Sequence, residues 1–307
     1  MHAERVSGEQ AGPCEIAAED MPGARSGHHH HHRPGKAVTA SVYRAKVAGH
    51  TRVVTVSWSR DLLSHAFAVA ISGADGASAE CRVDLRPWQF WRRAGSRRVD
   101  LGGATVRVLW DLRRARWHGA GAGLPDPRAG YYVAVEAGGE VALVLGDLRK
   151  AALRRAAPSA PPALAAVPVA RREHVFGRRR FAAKARFHDQ GAVHDVAIDV
   201  GGDGDMEMAI AIDGEEAVAV KHLQWKFRGN QSVTFGRAKV EVYWDVHDWL
   251  FAGAAAAGAG ARPALFIFRP IVLSSASVGA STPLLAGVDG PAGASGFCLY
   301  LYAWKLD

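Results

Sequence analysis

Asp245 and His247 stand two residues apart, with Asp248 adjacent, and form one candidate metal set. On a strand, residues two apart share a face, so a carboxylate and an imidazole would point the same way. His188 and His194 flank a turn at Gly191 and form a second such pair. Neither set has Cys-x-x-Cys or His-Glu-x-x-His spacing. The plainer reading is that Asp245, like Asp111, bonds backbone N–H groups at a strand end. Asp199, Asp203, Asp205 and Glu207 surround Gly201, Gly202 and Gly204, where carboxylate oxygens could hold calcium. That cluster lacks the EF-hand order, and acidic hairpin loops are common. No metal and no cofactor is assigned.

Nucleotide and nucleophile motifs are also missing. There is no G-x-x-x-x-G-K-[ST] loop, no G-x-G-x-x-G between a strand and a helix, and no G-x-S-x-G elbow. Cys81 and Cys298 sit in strand-like apolar runs and read as small core residues. No catalytic residue is assigned. The enzyme class stays open, because catalytic groups converge from distant strands without a linear motif.

Charge is the better lead, because it is segregated. Nine arginines lie between Arg86 and Arg116, against Asp100 and Asp111. Seven basic residues lie between Arg171 and Arg186, against Glu173. Eight acidic residues, and no Lys or Arg, lie between Asp195 and Glu216. The candidate anion-binding residues are Arg92, Arg93, Arg97, Arg98, Arg178, Arg179, Arg180, Lys226 and Arg228. They interleave with Trp88, Trp91, Trp117, Trp225 and Phe227. Such a mixture suits phosphate backbones with stacked bases, or an anionic lipid surface. A solvated face with its tryptophans in the core gives the same pattern. A third reading docks the acidic stretch on the basic stretches of the first half. The partner is thus unknown: a protein, an anionic ligand or nucleic acid.

The elements that position these residues follow from composition and pattern. The 307 residues carry 38 Lys+Arg and 30 Asp+Glu, for a net charge of +8. Hydrophobic residues make up 49%, which excludes global disorder. Ala, Gly and Arg are abundant throughout, so part of the positive charge reflects compositional bias. Three cysteines cannot form a disulfide scaffold, and no run of 18 apolar residues is present. Residues 1–36 read as a disordered leader without a secretory signal, and their His28–His32 run as a low-complexity tract or tag. These features point to the cytosol or nucleus.

Residues 91–111 and 225–245 align without a gap at an offset of 134, with nine identities in 21 positions. Trp91, Gly95, Val99, Gly102, Ala104, Val106, Val108, Trp110 and Asp111 match Trp225, Gly229, Val233, Gly236, Ala238, Val240, Val242, Trp244 and Asp245. Val106, Val108 and Trp110, like Val240, Val242 and Trp244, alternate with more polar residues, the period of a strand with one buried face. Trp91 and Trp225 are assigned to the same repeated core. Strand-like segments recur over 52–58, 66–71, 131–137, 140–145, 181–187, 193–200, 206–212, 217–221, 264–268 and 297–304, separated by turn signals. Leu148–Ala156 reads as a helix with Asp147 as N-cap. The expected fold is all-β: two tandem antiparallel sandwich or barrel-like units, internally duplicated, with one short helix after the first. The units run over 37–156 and 171–307. A Pro/Ala-rich linker at 157–170 separates them, and a Ser/Ala/Gly-rich loop covers 271–296.

Asp84–Trp88, Arg171–Gly177, Leu223–Gln231 and Val240–Phe251 resemble the landmarks of a plant protein family catalogued as domain of unknown function 868. Gly296–Trp304 is similar to that family's closing strand. The resemblance spans roughly residues 38–307. It implies a plant origin and no activity, and it brings no catalytic residue with it.

Overall fold

The computed structural model describes residues 37–61, 65–86, 88–118, 124–156, 166–185, 187, 192–202, 204–235, 238–251, 262–271 and 297–306. The leader with its His run, the linker segment 157–165, the loop at 272–296, His188 and Asp203 lie outside the described residues.

The protein is all-β. The chain opens as a meander of β1 (Ala37–Val47), β2 (His50–Arg60), β3 (His65–Ser72) and β4 (Ser78–Leu85). A 3-10 turn, Phe90–Arg93, leads to β5 (Ala94–Leu101) and β6 (Ala104–Asp111). Two short strands, β7 (Arg116–Trp117) and β8 (Pro127–Ala129), precede β9 (Tyr132–Ala137), β10 (Glu140–Leu145) and helix α1 (Arg149–Ala156). The second half holds β11 (Val167–Gly177), β12 (Arg180–Ala185), β13 (His194–Gly201), β14 (Glu207–Ile212), β15 (Glu215–Val220), β16 (Arg228–Phe235) and β17 (Ala238–Asp245). A short helix α2 (His247–Phe251), β18 (Ala264–Ile271) and β19 (Cys298–Lys305) complete it.

One sheet runs through both halves, in the order β16-β17-β18-β19-β11-β1-β2-β3-β4. The join is the antiparallel pairing of β1 with β11, Thr39 opposite Glu173. Two four-stranded sheets, β10-β9-β6-β5 and β12-β13-β14-β15, cover one face of it side by side. The halves therefore share a layer instead of forming two self-contained units. The expected wholly antiparallel pairing also fails at one place: β11 and β19 run parallel. The last strand enters the sheet between β18 and β11, so its direction is set by both neighbours.

Alternation builds the cores. Val54, Val56 and Trp58 face Val106, Val108 and Trp110 across the first pair of layers. Phe181, Ile198 and Ile210 meet Val240, Val242 and Phe266 across the second. At about 1.5–3 kcal/mol for each large apolar side chain buried, these rows are the main stabilising contribution. A smaller cluster holds α1 on the outer face of β6 and β9 through Leu109, Ala134, Ala152 and Ala156. Asp147 is not that helix's cap. Its Oδ1 accepts the Gly130 N–H at 2.7 Å and the Tyr131 N–H at 3.1 Å, so it ties down the turn before β9 instead. Val167–Ala170, read as the end of a linker, are strand. Pro168 pairs with Tyr43 where the β1–β11 register shifts between Val42 and Tyr43, an irregularity of the kind at which strands accommodate proline.

Beneath that join lies a buried ionic network. Thr39, Ser41, Arg171 and Glu173 face the covering layer, and Asp126 reaches them from the segment before β8. Arg171 donates to Glu173 Oε1, to both Asp126 oxygens at 3.2 Å and to Ser41 Oγ at 3.4 Å. Glu173 is 1% exposed, and its Oε2 has no hydrogen-bond partner among the described residues. Burial pushes its carboxyl above the ordinary 4.5, against the opposing pull of Arg171. The folded protein thus holds this proton more tightly than the unfolded chain. Between 4.5 and the raised value, stability therefore falls as pH rises. Urea unfolding of Glu173→Gln at stepped pH should show that component of the slope removed. An unchanged slope would place its source elsewhere.

Candidate functional site

The segments 91–111 and 225–245 form matching turns in the two halves. Trp110 on β6 and Trp244 on β17 are 6% and 9% exposed. Each indole N–H donates to a backbone carbonyl eighteen residues earlier, Arg92 at 2.8 Å and Lys226 at 3.0 Å. Each ring lies over the glycine paired with it on the neighbouring strand, Gly95 or Gly229. A Cβ at Gly95 would sit 2.8 Å from Cζ2 of Trp110, and one at Gly229 would meet Trp244 closer still. The Leu112 N–H then bonds the Arg93 carbonyl at 2.6 Å, and the Val246 N–H bonds that of Phe227 at 2.9 Å. Asp111 and Asp245 each accept a backbone N–H two residues on, at 3.1 Å, as strand-end caps. Val106, Val108, Val240 and Val242 are fully buried beside them.

Trp91 and Trp225 are the correction. The sequence pattern places both in the repeated core, yet they are 61% and 81% exposed. The buried Trp110 or Trp244 already fills the inward volume. The carbonyl of the next residue must also turn inward to meet its indole. The side chain of Trp91 or Trp225 is left facing water.

Around the first turn the surface is cationic. Trp88 is 60% exposed, with the Arg86 guanidinium carbon 5.7 Å from its ring centroid. Arg86, Arg92 and Arg93 have no ion-pair partner among the described residues. His65 on β3 stays below its ordinary range, chiefly through burial and then through Arg60 and Arg93.

The predicted basic set does not form one patch. Arg97 and Arg98 are successive on β5, so they leave on opposite faces. Arg97 donates to the Arg82 carbonyl at 2.9 Å, covering the edge between layers. Arg98 stands on the outer face, opposite Arg107. Arg178 and Arg179 occupy the exposed β11–β12 turn, and Arg180 lies 3.7 Å from Asp199. Lys226 is exposed in the second turn, while Arg228 pairs with Asp245 at 2.8 Å. There Phe227, His247 and Phe251 form a ring cluster, its edge the half-exposed Phe251 on α2, an element the sequence reading lacked.

The acidic stretch is met within its own half: Asp195 by Lys184, Asp199 by Arg180, and Asp213 by His194 at 2.7 Å. Among the described residues, no three His, Cys, Asp or Glu side chains form a metal-holding group. His247 Nδ1 meets Asp248 Oδ1 at 3.0 Å instead of converging with Asp245. Cys81 is buried, and that burial pushes its thiol up, away from nucleophile chemistry. Among the described residues no helix is long and apolar enough to cross a membrane. The Arg171–Glu173–Asp126 network was missed. Its one sequence signal was the i, i+2 spacing of Arg171 and Glu173, which places both on one strand face.

Fold and surface together define an all-β protein with a continuous central sheet and a paired tryptophan turn. The chain belongs to the family described as plant proteins of unknown function (DUF868), whose profile matches residues 34–305. No curated protein and no solved structure matches it.

Glycine at the two turns makes a direct test. Gly229→Ala should destabilise the protein by about 1–3 kcal/mol, and Gly95→Ala by less, in urea unfolding. Trp91→Ala and Trp225→Ala, being exposed, should stay within about 0.5 kcal/mol of wild type. A large loss from either tryptophan variant would return it to the core.

Proposed function

We propose that the protein is a non-enzymatic binding module. Its contact surface is the turn Arg86–Arg93, and its partner is anionic. The observation that carries this reading is the exposure of Trp88 and Trp91, at 60% and 61%, beside three guanidinium groups that lack carboxylate partners among the described residues. Leaving a large apolar side chain in water forgoes about 1.5–3 kcal/mol, which a binding partner can recover. The nine identities at an offset of 134, with the matched hydrogen bonds of the two turns, support an origin in one duplicated β unit. By that reading the first unit ends with α1 and the second begins with β11. Cys81 is a buried free thiol, which fits a reducing cytosolic or nuclear compartment.

Single-stranded nucleic acid is the second reading. It is favoured by the stackable Trp88 ring beneath a guanidinium group. Titration of the full chain with phosphatidylserine vesicles, polyglutamate and a random single-stranded oligonucleotide tests both. At least one probe should bind, more weakly as salt rises. The combined variant Trp91→Ala, Arg92→Glu, Arg93→Glu should lose at least about 10-fold, or 1.4 kcal/mol, in affinity. Binding to the oligonucleotide alone selects the second reading. Wild type that binds none of the three at low salt sinks both.

A further inference from the structure

The outer face of the β10-β9-β6-β5 sheet carries a groove of about 570 Å³ where the β1–β2 turn at Ala48, the start of β6 and the β9–β10 turn at Gly138 meet. That volume lies in the range of small-ligand sites. Its polar lining is Arg98, Thr105, Arg107 and Glu136. Arg98 and Arg107 are direct cross-strand partners on one face, an arrangement that like charges disfavour.

Glu136 offsets only one of the two charges. Arg107 Nε donates to Glu136 Oε2 at 2.8 Å, and its Nη2 donates to the Ala156 carbonyl at the end of α1 at 2.6 Å. The second Glu136 oxygen accepts the Gly139 N–H at 2.8 Å. Both carboxylate oxygens are thus engaged, and Arg98 has no ion-pair partner among the described residues. Asp100, two residues along the same face, turns to the hairpin and accepts the Gly103 N–H at 3.2 Å. Arg107 is held in place by two bonds, with its Nη1 donors unused among the described residues. Arg98 and the Thr105 hydroxyl supply the other donors.

We infer that this groove binds a small oxyanion, a carboxylate or a phosphate monoester, clamped between the guanidinium groups of Arg98 and Arg107. Two planar forks match such a group well. Glu136 on the same wall limits the net positive charge, which disfavours a polyanion and suits a ligand with hydroxyl donors beside its charged group. The groove is separate from the tryptophan turn, since Arg98 leaves β5 on the outer face.

Thermal unfolding of the full chain against inorganic phosphate and malonate, with chloride at matched ionic strength as control, tests it. Wild type should show saturable stabilisation by phosphate or malonate beyond that of chloride. Arg98→Ala should weaken the response at least about 10-fold, Arg98→Lys less, and Trp91→Ala not at all. Without added anion, Arg98→Ala should be at least as stable as wild type, because it removes a like-charge contact. No anion-specific response in wild type, or an equal response in Arg98→Ala, overturns the inference. A marked loss of stability in Arg98→Ala without anion would make the residue structural and overturn it too. Retention of the response in the double variant Arg92→Glu, Arg93→Glu, which removes cations of the turn, keeps this outcome independent of the proposed contact turn.

Discussion

The pairing of β1 with β11 is the constraint on which the molecule depends. It joins two halves, each facing a four-stranded sheet, into a single layer, and Arg171 sits directly beneath it. That guanidinium group is shared by Glu173 on its own strand, Asp126 from the first half and Ser41 on β1. Removing charges from water costs several kcal/mol per ion, and only close geometry with filled hydrogen bonds offsets it. Here one cation meets two carboxylates, and one carboxylate oxygen stays unpartnered among the described residues. The balance is tight enough that Glu173 resists ionisation. The network also specifies the join. In the observed register, with Thr39 opposite Glu173, Arg171 meets both Ser41 and Asp126, and a one-residue slip would turn it to the other face of the sheet.

The strands were legible because their cause is local. Alternation in Val106–Trp110 and Val240–Trp244 reports a buried face without knowledge of what buries it. The shared sheet was not legible, because β1 and β11 meet across 130 residues and no local pattern encodes the meeting. β11 hides itself further, since Pro168 and its charged residues resemble a linker followed by a basic surface. Trp91 and Trp225 mislead for a different reason. Repetition shows that two positions share a constraint, and it does not say which atoms bear it. At those positions the constraint falls on the backbone, whose next carbonyl must receive an indole N–H. Asp147 shows the same ambiguity, because a side chain placed to cap a helix can equally cap the turn beside it.

Net charge is likewise an average over different local situations. In the second half, Lys184 and Arg180 lie against Asp195 and Asp199, and His194 lies against Asp213. These exposed pairs contribute little to stability, about 0–1 kcal/mol each. Their effect is to quiet the local field. The first half retains Arg86, Arg92, Arg93 and Arg98 unpaired among the described residues. Arg149, Lys150, Arg154 and Arg155 on α1 and Arg178 and Arg179 in the β11–β12 turn are likewise exposed without an ion pair among the described residues, so the turn and the groove are two of several cationic patches, and the turn is set apart by its exposed tryptophans.

The candidate site follows from the core beneath it. A surface tryptophan on a mobile loop must be ordered on binding, at about 0.5–1.5 kcal/mol for each side chain immobilised, with backbone ordering added. At Trp91 much of that ordering is already done. The Arg92 carbonyl is fixed by Trp110, the Arg93 carbonyl by Leu112, and Gly95 leaves room for the ring. The exposed side chain thus rises from a backbone that the core has already set. The same construction at Trp225 comes with Lys226 free to the solvent but with Arg228 held by Asp245. Two turns of one geometry therefore differ in charge, and the proposed contact is assigned to the first, where Arg92 and Arg93 have no ion-pair partner among the described residues.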